Sequence, residues 1–254
     1  MNSSFYDDDR FLEIEHKLLE LTLVRHSYIR DPQAQRHVRE GFDRRLLMMQ
    51  VSRIFLREQT KREETLGTIC WELNVHLNSY YLNLRGALDN LAWALKYEFN
   101  LFPEVDEEKS PRRSYSNLFH RKFQELLRRD HSELAEMLFT LASWQTELSN
   151  LRDPAAHRIP LTVVAGVISS PEELEEFRRR ESLASRPADQ LEGHSRSSYL
   201  RQAQMAAKYH PLFALSGPTG LNVRQIPVQV AEDHDRFLRV AQATLQELLS
   251  FRDS

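Results

Sequence analysis

The sequence contains little glycine and almost no cysteine, and both shortages argue against particular kinds of site. Seven glycines in 254 residues disfavour a glycine-rich loop of the kind that surrounds a nucleotide phosphate. The single cysteine, Cys70, cannot form an internal disulfide framework or a zinc or iron–sulfur site built from several cysteines. No histidine pair has the His-Glu-x-x-His spacing of a zinc helix. We therefore expect neither a metal ion nor a cofactor.

Long hydrophobic runs and a strong net charge are also missing. No stretch of about 18 apolar residues is present, so we expect no membrane span. Residues 1–9 are acidic and lack the apolar run of a signal peptide, and the expected location is the cytoplasm. With a net charge of −3, the chain has no overall positive potential that would attract nucleic acid. Locally, residues 25–62 hold ten Lys or Arg against four Asp or Glu, which indicates either an RNA-binding track or a solvated helix face.

Apolar residues at helical spacing dominate the first part of the chain. From Leu77 to Phe99 they recur every three or four positions, which predicts a long amphipathic helix with one buried face. Residues 100–116, which include two prolines and an acidic run, are expected to be a linker. The same spacing predicts further helices over residues 8–29, 33–58, 117–129 and 131–150. We therefore expect a mainly α-helical fold.

The pattern changes after residue 160 and indicates short strands. Residues 161–168 are prone to form β-structure, and two more strands are expected over 211–216 and 221–230. A tight turn, Gly217-Pro218-Thr219-Gly220, joins those two strands. Pro227 places the second of them at a sheet edge or a bulge, because proline cannot donate to a ladder.

These elements predict three parts. The first is a helical bundle over residues 1–160. The second, over 161–230, is a mixed insertion with short strands, a helix at 171–182 and a mobile loop after it. The third, over 231–254, is a closing helix that packs on the bundle.

The richest chemistry in the sequence lies between Arg152 and His157. Asp153 and Pro154 are typical of a helix start, since aspartate caps the helix and proline suits its first position. A helix N-terminus presents free N–H groups and a positive dipole end, which attract anions. We therefore predict a phosphate-sized site flanked by Arg152 and His157, with Asp153 as the cap. The simpler alternative is that these side chains only cap and pack.

The Arg-x-x-x-x-His pattern with a polar residue after the arginine resembles the signature of the HEPN superfamily. The segment from Tyr80 to Ala92 is similar to the Arg-x-x-Leu-Asp-x-Leu-Ala helix of many bacterial HEPN-like proteins. Together the two motifs span roughly residues 60–160. With this resemblance, the expected fold is a HEPN-like helical bundle with a small β-containing insertion near the C-terminus.

The resemblance implies a function. HEPN nucleases cleave RNA without a metal, act as homodimers in which both protomers supply the motif, and often serve as toxins or immunity effectors. For this chain it implies catalytic Arg152 and His157, RNA as substrate, a homodimer, and an antitoxin or other protein partner. Other members are inactive binding or dimerisation modules, and this alternative stays open.

The two side chains suit RNA cleavage. The imidazole of His157 can act as general acid or base because its ordinary pKa is about 6.5. The guanidinium of Arg152 binds phosphate oxygens in pairs and keeps its charge. A polar strip on the long helix is expected to line the cleft and to orient Arg152 or the substrate. It consists of Asn78, Arg85, Asp89 and Lys96. The alternative for Arg85 and Asp89 is a plain surface ion pair.

Overall fold

The computed structural model describes residues 8–60, 69–103, 116–157, 160–164, 170–184, 212–217 and 220–250. This part of the chain is mainly helical with a small sheet near the C-terminus, which confirms the predicted fold class. The helices are α1 (Asp8–Arg25), a 3-10 turn (His26–Tyr28), α2 (Pro32–Arg36), a π-helix (His37–Asp43), α3 (Arg44–Thr60), α4 (Ile69–Glu98), α5 (Arg121–Leu127), α6 (Ser132–Thr140), α7 (Ala142–His157), α8 (Pro171–Ala184) and α9 (Ile226–Ser250). None of these described helices is both long and apolar enough to cross a membrane.

Helix α4 is the centre of the core. Helices α2, α3, α7 and α9 and the π-helix all pack against it. Its inward side chains, spaced by three and four positions, are buried: Leu73, Leu77, Tyr80, Tyr81, Leu84, Leu88, Leu91 and Leu95. The apolar pattern that predicts this helix is therefore also the main core stripe of the molecule.

Three short strands form an antiparallel sheet in the order β1 (Thr162–Val163), β2 (Leu212–Gly217) and β3 (Gly220–Gln225). Strands β2 and β3 form a hairpin whose register closes at Gly217 and Gly220, at the predicted turn. Phe213 of β2 is fully buried, with its ring centroid 6.4 Å from that of Tyr81 on α4. The sheet therefore packs against the same helix as the rest of the core.

Two asparagines of α4 hold the chain that leads into β1. Asn74 Oδ1 accepts a hydrogen bond from the backbone N–H of Val163 at 2.6 Å. Asn78 Oδ1 accepts from the N–H of Leu161 at 3.0 Å, and its Nδ2 donates to the Leu161 carbonyl at 2.9 Å. The amide of Asn78 is thus used by the backbone beside the sheet.

Residues 33–58 do not form one regular helix. They are divided between α2, the π-helix and α3, so the backbone is wider in the middle of the segment. Within the π-helix, Gly41 approaches α4 so closely that a Cβ atom there would lie 2.1 Å from Asn90 Oδ1. Only a residue without a side chain fits this approach.

The start of the closing helix also differs from the prediction. Helix α9 begins at Ile226, so the predicted strand over 221–230 is wrong beyond Gln225. Pro227 lies in the first turn of α9, where a missing N–H removes no helical hydrogen bond. The predicted helix over 131–150 is likewise divided into α6 and α7, at Leu141.

Some predicted features lie outside the described residues. These are residues 1–7, most of the linker at 104–115, the strand residues 165–169 and the loop at 185–211. The described elements of the insertion are β1, α8, β2 and β3.

A charged network lies wholly inside the bundle, where α1, α3 and α9 meet. Arg53 Nη2 donates to Glu15 Oε2 at 2.8 Å, and His234 Nε2 lies 2.9 Å from Glu15 Oε1. All three side chains are fully buried. Burial raises the pKa of Glu15 to about 8 and holds the pKa of His234 well below its ordinary value. This network is not among the predicted features, although Glu15 occupies an apolar-face position of α1 between Phe11 and Leu18.

A second buried carboxylate joins three helices. Asp233 of α9 accepts hydrogen bonds from Tyr81 of α4 at 3.0 Å and from Trp144 of α7 at 2.9 Å. Gln229 donates to the same carboxylate at 2.9 Å. Burial raises the pKa of Asp233, while these donors oppose the rise. Because both networks are sealed from solvent, they fix the packing of the bundle and offer no entry to a substrate.

Replacing Arg53 by Ala is expected to lower the free energy of unfolding by about 1–3 kcal/mol, because the buried Glu15 carboxyl would lose the hydrogen-bond donor Arg53 and could not replace it with water. Urea unfolding followed by circular dichroism measures the change. Arg121→Ala is the matched control, since it removes an exposed ion pair with Glu125 and should leave stability almost unchanged. Equal stabilities of the two variants would contradict the role given to Arg53.

Candidate functional site

The Arg152–His157 motif lies at the end of a helix and not at its beginning. Helix α7 continues from Ala142 through His157, so the predicted helix start at Asp153 and Pro154 is wrong. Pro154 falls in the last turn, where its missing N–H costs a single bond, to the carbonyl four residues earlier. A helix C-terminus carries free carbonyls and the negative dipole end, so the predicted anion site of backbone N–H groups is not formed.

Asp153 pairs with its neighbour and does not cap a helix. Arg152 Nη1 donates to Asp153 Oδ1 at 3.1 Å, and the two side chains are 32% and 54% exposed. The carboxylate offsets part of the charge that an incoming phosphate would meet. His157 is the last residue of α7, and its side chain lies outside the described part of the structure.

Arg152 lies near the polar pair on the outer side of α4. Arg85 Nη2 is 3.0 Å from Asp89 Oδ1. Burial raises the pKa of Asp89, and the guanidiniums of Arg85, Arg152 and Arg45 each lower it. Helix α7 packs on α4, and this packing brings the charge of Arg152 within Coulombic range of Asp89.

Lys96, the last member of the polar strip, does not join this cluster. Its side chain is buried, with the ammonium 4.3 Å from the ring centroid of Tyr97 and 5.1 Å from that of Trp93. A cation in this position is stabilised by the two ring faces. The expectation that Lys96 lines the cleft is therefore wrong.

An arginine-lined groove opens where the π-helix and α3 meet α4. Two adjoining depressions, of about 480 Å³ and 390 Å³, share Arg36, Glu40 and Arg44 among their lining residues. We call this surface the arginine groove and define it by Arg36, Arg39, Arg44 and Arg45. Glu40 lies 3.5 Å from Arg36 and offsets one of the four charges. The groove therefore carries a net positive charge and suits an anionic ligand.

Arg45 connects the groove with the cluster around Arg152. A Cβ atom on Gly86 would lie 2.5 Å from Arg45 Cζ, so the guanidinium lies directly on the α4 backbone. Arg45 Nη1 also donates to Asn83 Oδ1 at 3.2 Å. A glycine inside a helix costs about 1 kcal/mol relative to alanine. A glycine inside a helix therefore indicates that a neighbouring group lies against the helix backbone at that point. Gly86, within the Arg85–Asp89 segment, is such a glycine.

Polar and aromatic side chains form the α4 wall of the groove. Asn90 Nδ2 donates to the Gly86 carbonyl at 2.7 Å, so Asn90 Oδ1 is the acceptor for His37 Nδ1 at 3.0 Å. The His37 ring stacks on Trp93, with centroids 5.5 Å apart and planes 7° apart. The faces of these two rings are therefore turned to each other, and the wall presents mainly hydrogen-bonding groups to the groove.

Comparison of the chain with known protein families, with curated proteins and with solved structures gives no match. Among the described residues, no group of three or more His, Cys, Asp or Glu side chains is placed to hold a metal ion. Any function must therefore be argued from the arrangement of these side chains.

Arg152→Ala is expected to raise the pKa of Asp89 further, because one of the guanidiniums that lower it is removed. Carboxyl NMR titration measures this pKa directly. Arg121→Ala, which removes an exposed arginine from α5, should leave the titration of Asp89 unchanged. If Arg152→Ala also leaves it unchanged, Arg152 does not lie against the Arg85–Asp89 pair.

Proposed function

We propose that this protein binds single-stranded RNA along the arginine groove and cleaves it, without a metal, as an endoribonuclease of the HEPN type. The observation that carries the proposal is the packing of α7 on α4, which brings the charge of Arg152 into range of Asp89. The two motifs that resemble HEPN proteins are far apart in the sequence, and the helices that carry them pack against each other. A role as toxin with an antitoxin partner, or as phage-defence effector, follows from the resemblance alone.

The groove supports RNA as the ligand. Arginine binds phosphate oxygens through a planar fork of N–H groups and keeps its charge at any physiological pH. Arg36, Arg44 and Arg45 line a single depression, so successive phosphates of one strand can each meet a guanidinium. His37 and Trp93 beside it stack on each other, so the support for RNA comes from the guanidiniums and not from free ring faces.

The proposed cleavage uses few groups. His157 takes the proton of a ribose 2′-hydroxyl, and the 2′-oxygen forms a bond to the adjacent phosphorus. The bond from phosphorus to the 5′-oxygen breaks, and that oxygen takes a proton from a second imidazole in the homodimer that the resemblance implies. The products are a 2′,3′-cyclic phosphate and a 5′-hydroxyl. Arg152 stabilises the charge on the phosphoryl oxygens, and Asp153 and Asp89 orient its guanidinium.

The second candidate function is an RNA-binding module without catalysis. The observation that favours it is the pairing of Arg152 with Asp153 at the C-terminal end of α7. Carbonyls at a helix end repel a phosphate, and the neighbouring carboxylate adds to that effect. In this case the arginine groove carries the function, and Arg152 contributes only positive charge near it.

Purified protein is expected to cut single-stranded RNA in the presence of EDTA and to leave 2′,3′-cyclic phosphate ends. His157→Ala should lower the cleavage rate by about 100-fold or more, because proton transfer by a positioned side chain contributes at least that much. His16→Ala, on the exposed face of α1, is the matched control and should cut normally. Circular dichroism checks that each variant keeps the fold.

Cleavage at an equal rate by the His157→Ala and His16→Ala variants would remove the nuclease proposal. Absence of cleavage in the wild-type protein, together with RNA binding, would leave the binding module as the function.

Arg36→Ala/Arg44→Ala is expected to weaken binding of a fluorescein-labelled single-stranded RNA and to make that binding less dependent on salt. Each lost phosphate contact should reduce the slope of log K against log salt by about 0.7. Arg121→Ala/Arg128→Ala removes the same charge from α5 and its C-terminal end, and it should leave the slope unchanged. Fluorescence anisotropy over a salt series measures both. Equal slopes for the two double variants would show that RNA does not use the groove.

A further inference from the structure

A depression lined mainly by apolar atoms continues the arginine groove along the seam between α3 and α4. Its volume is about 320 Å³, and Met48 lines both the depression and the groove. On α3, Leu47 and Val51 are 46% and 61% exposed, and on α4 Val75 is 66% exposed. Contiguous apolar side chains with this exposure mark an interaction site. Because the depression adjoins the groove, the arrangement favours a ligand that contacts both.

Trp71 extends the apolar end of this seam. It lies one turn before Val75, so the two side chains are neighbours on one face of α4. The residue is 75% exposed, and of the rings in the described part of the chain none stacks on its indole. Trp93, by contrast, is stacked on His37. The faces of the Trp71 indole are therefore available to a flat partner.

The two ends of the seam match the two halves of a nucleotide. The guanidiniums of Arg36, Arg44 and Arg45 suit phosphates. An indole face suits a planar base, which stacks on an aromatic ring with little regard to its identity. From Asn83, which lines the groove, to Val75 the distance along α4 is about 12 Å at 1.5 Å per residue. At about 3.4 Å per stacked nucleotide, roughly three or four nucleotides cover it.

We infer that the apolar depression and Trp71 form a nucleobase subsite, which binds unpaired bases of the RNA strand whose phosphates lie in the arginine groove. We call it the base subsite and define it by Leu47, Met48, Val51, Val75 and Trp71. The inference rests on the proposed binding of single-stranded RNA, and it does not depend on cleavage. Bases inside a duplex are already stacked and paired, so the base subsite selects single strands.

Polar side chains among the lining residues suit the edge of a base. Ser79 and His76 both line the depression. The ring of Phe55 stacks on His76, with centroids 4.0 Å apart, and this contact orients the imidazole. Burial lowers the pKa of His76, and the charge of Glu72 only partly opposes this shift. At neutral pH the imidazole is therefore uncharged and carries one donor and one acceptor, the groups that a base edge also presents.

Trp71→Ala tests the inference by fluorescence anisotropy. The probe is a fluorescein-labelled single strand of 2′-O-methyl RNA, which lacks the 2′-hydroxyl that the proposed cleavage requires. Trp71→Ala should weaken binding by at least about fivefold, because one stacked base contributes that much. The slope of log K against log salt should not change, since no phosphate contact is lost. Phe139→Ala is the matched control, since it removes a 60% exposed ring from α6, and it should bind as the wild type does.

Two further ligands separate base binding from phosphate binding. Inorganic polyphosphate carries the charge of a nucleic-acid backbone without bases, so it should bind the wild-type protein and Trp71→Ala equally well. A duplex of the same 2′-O-methyl sequence should also bind both equally, because its bases are paired. Trp71→Phe keeps an aromatic face and should recover most of the single-strand affinity, whereas Trp71→Leu keeps only apolar bulk and should not. Circular dichroism checks that each variant keeps the fold.

Equal single-strand affinity of the wild-type protein and Trp71→Ala would overturn the inference and leave the depression to another occupant, such as a partner protein. An equal loss of affinity for polyphosphate or duplex would overturn it too, because the effect would then not come from bases. If the wild-type protein binds no RNA, RNA binding and the base subsite fail together. A protein that binds single strands through Trp71 but cuts no RNA keeps the base subsite and loses only the nuclease activity.

Discussion

Helix α4 must bury apolar side chains around most of its circumference, and this constraint positions the other elements. Its inward residues are covered by α3, α7, α9 and the π-helix, and Phe213 of the sheet packs on Tyr81. Only a narrow outer strip is left for polar side chains. Arg85, Asp89 and Asn90 lie on that strip, so any charged residue that neighbouring helices direct toward α4 must meet them.

The close approach of neighbours to α4 depends on two glycines. At Gly41 the π-helix touches Asn90, and at Gly86 the Arg45 side chain lies on the helix backbone. A side chain at either position would push the arginines of α3 and the π-helix away from α4. The positive surface is therefore a product of packing as much as of composition, since a chain with a net charge of −3 presents several guanidiniums on one small area.

Charge is distributed differently inside the bundle and on its outer face. Inside, Glu15 pairs with Arg53 beside His234, Asp233 accepts hydrogen bonds from Tyr81 and Trp144, and burial shifts both carboxyl pKa values upward. Outside, Arg85 pairs with Asp89, and the charges of Arg152 and Arg45 also lower the pKa of that carboxyl. The inner groups fix which helices pack together, whereas the outer groups are accessible to a ligand.

The apolar spacing from Leu77 to Leu95 was enough to predict α4, the core stripe and the mainly helical class, because periodic burial is a local property of sequence. The turn at Gly217–Gly220 could also be predicted, because turn preference is a local property of sequence as well. The position of Asp153 and Pro154 could not be predicted in this way. Locally they favour a helix start, but in the structure α7 continues through them to His157. The meeting of Arg152 with Asp89, the approach of Arg45 across Gly86 and the burial of Glu15 join residues remote in the chain. The tertiary structure alone decided them, because Coulombic and packing energies depend on distance in space and not on separation along the chain.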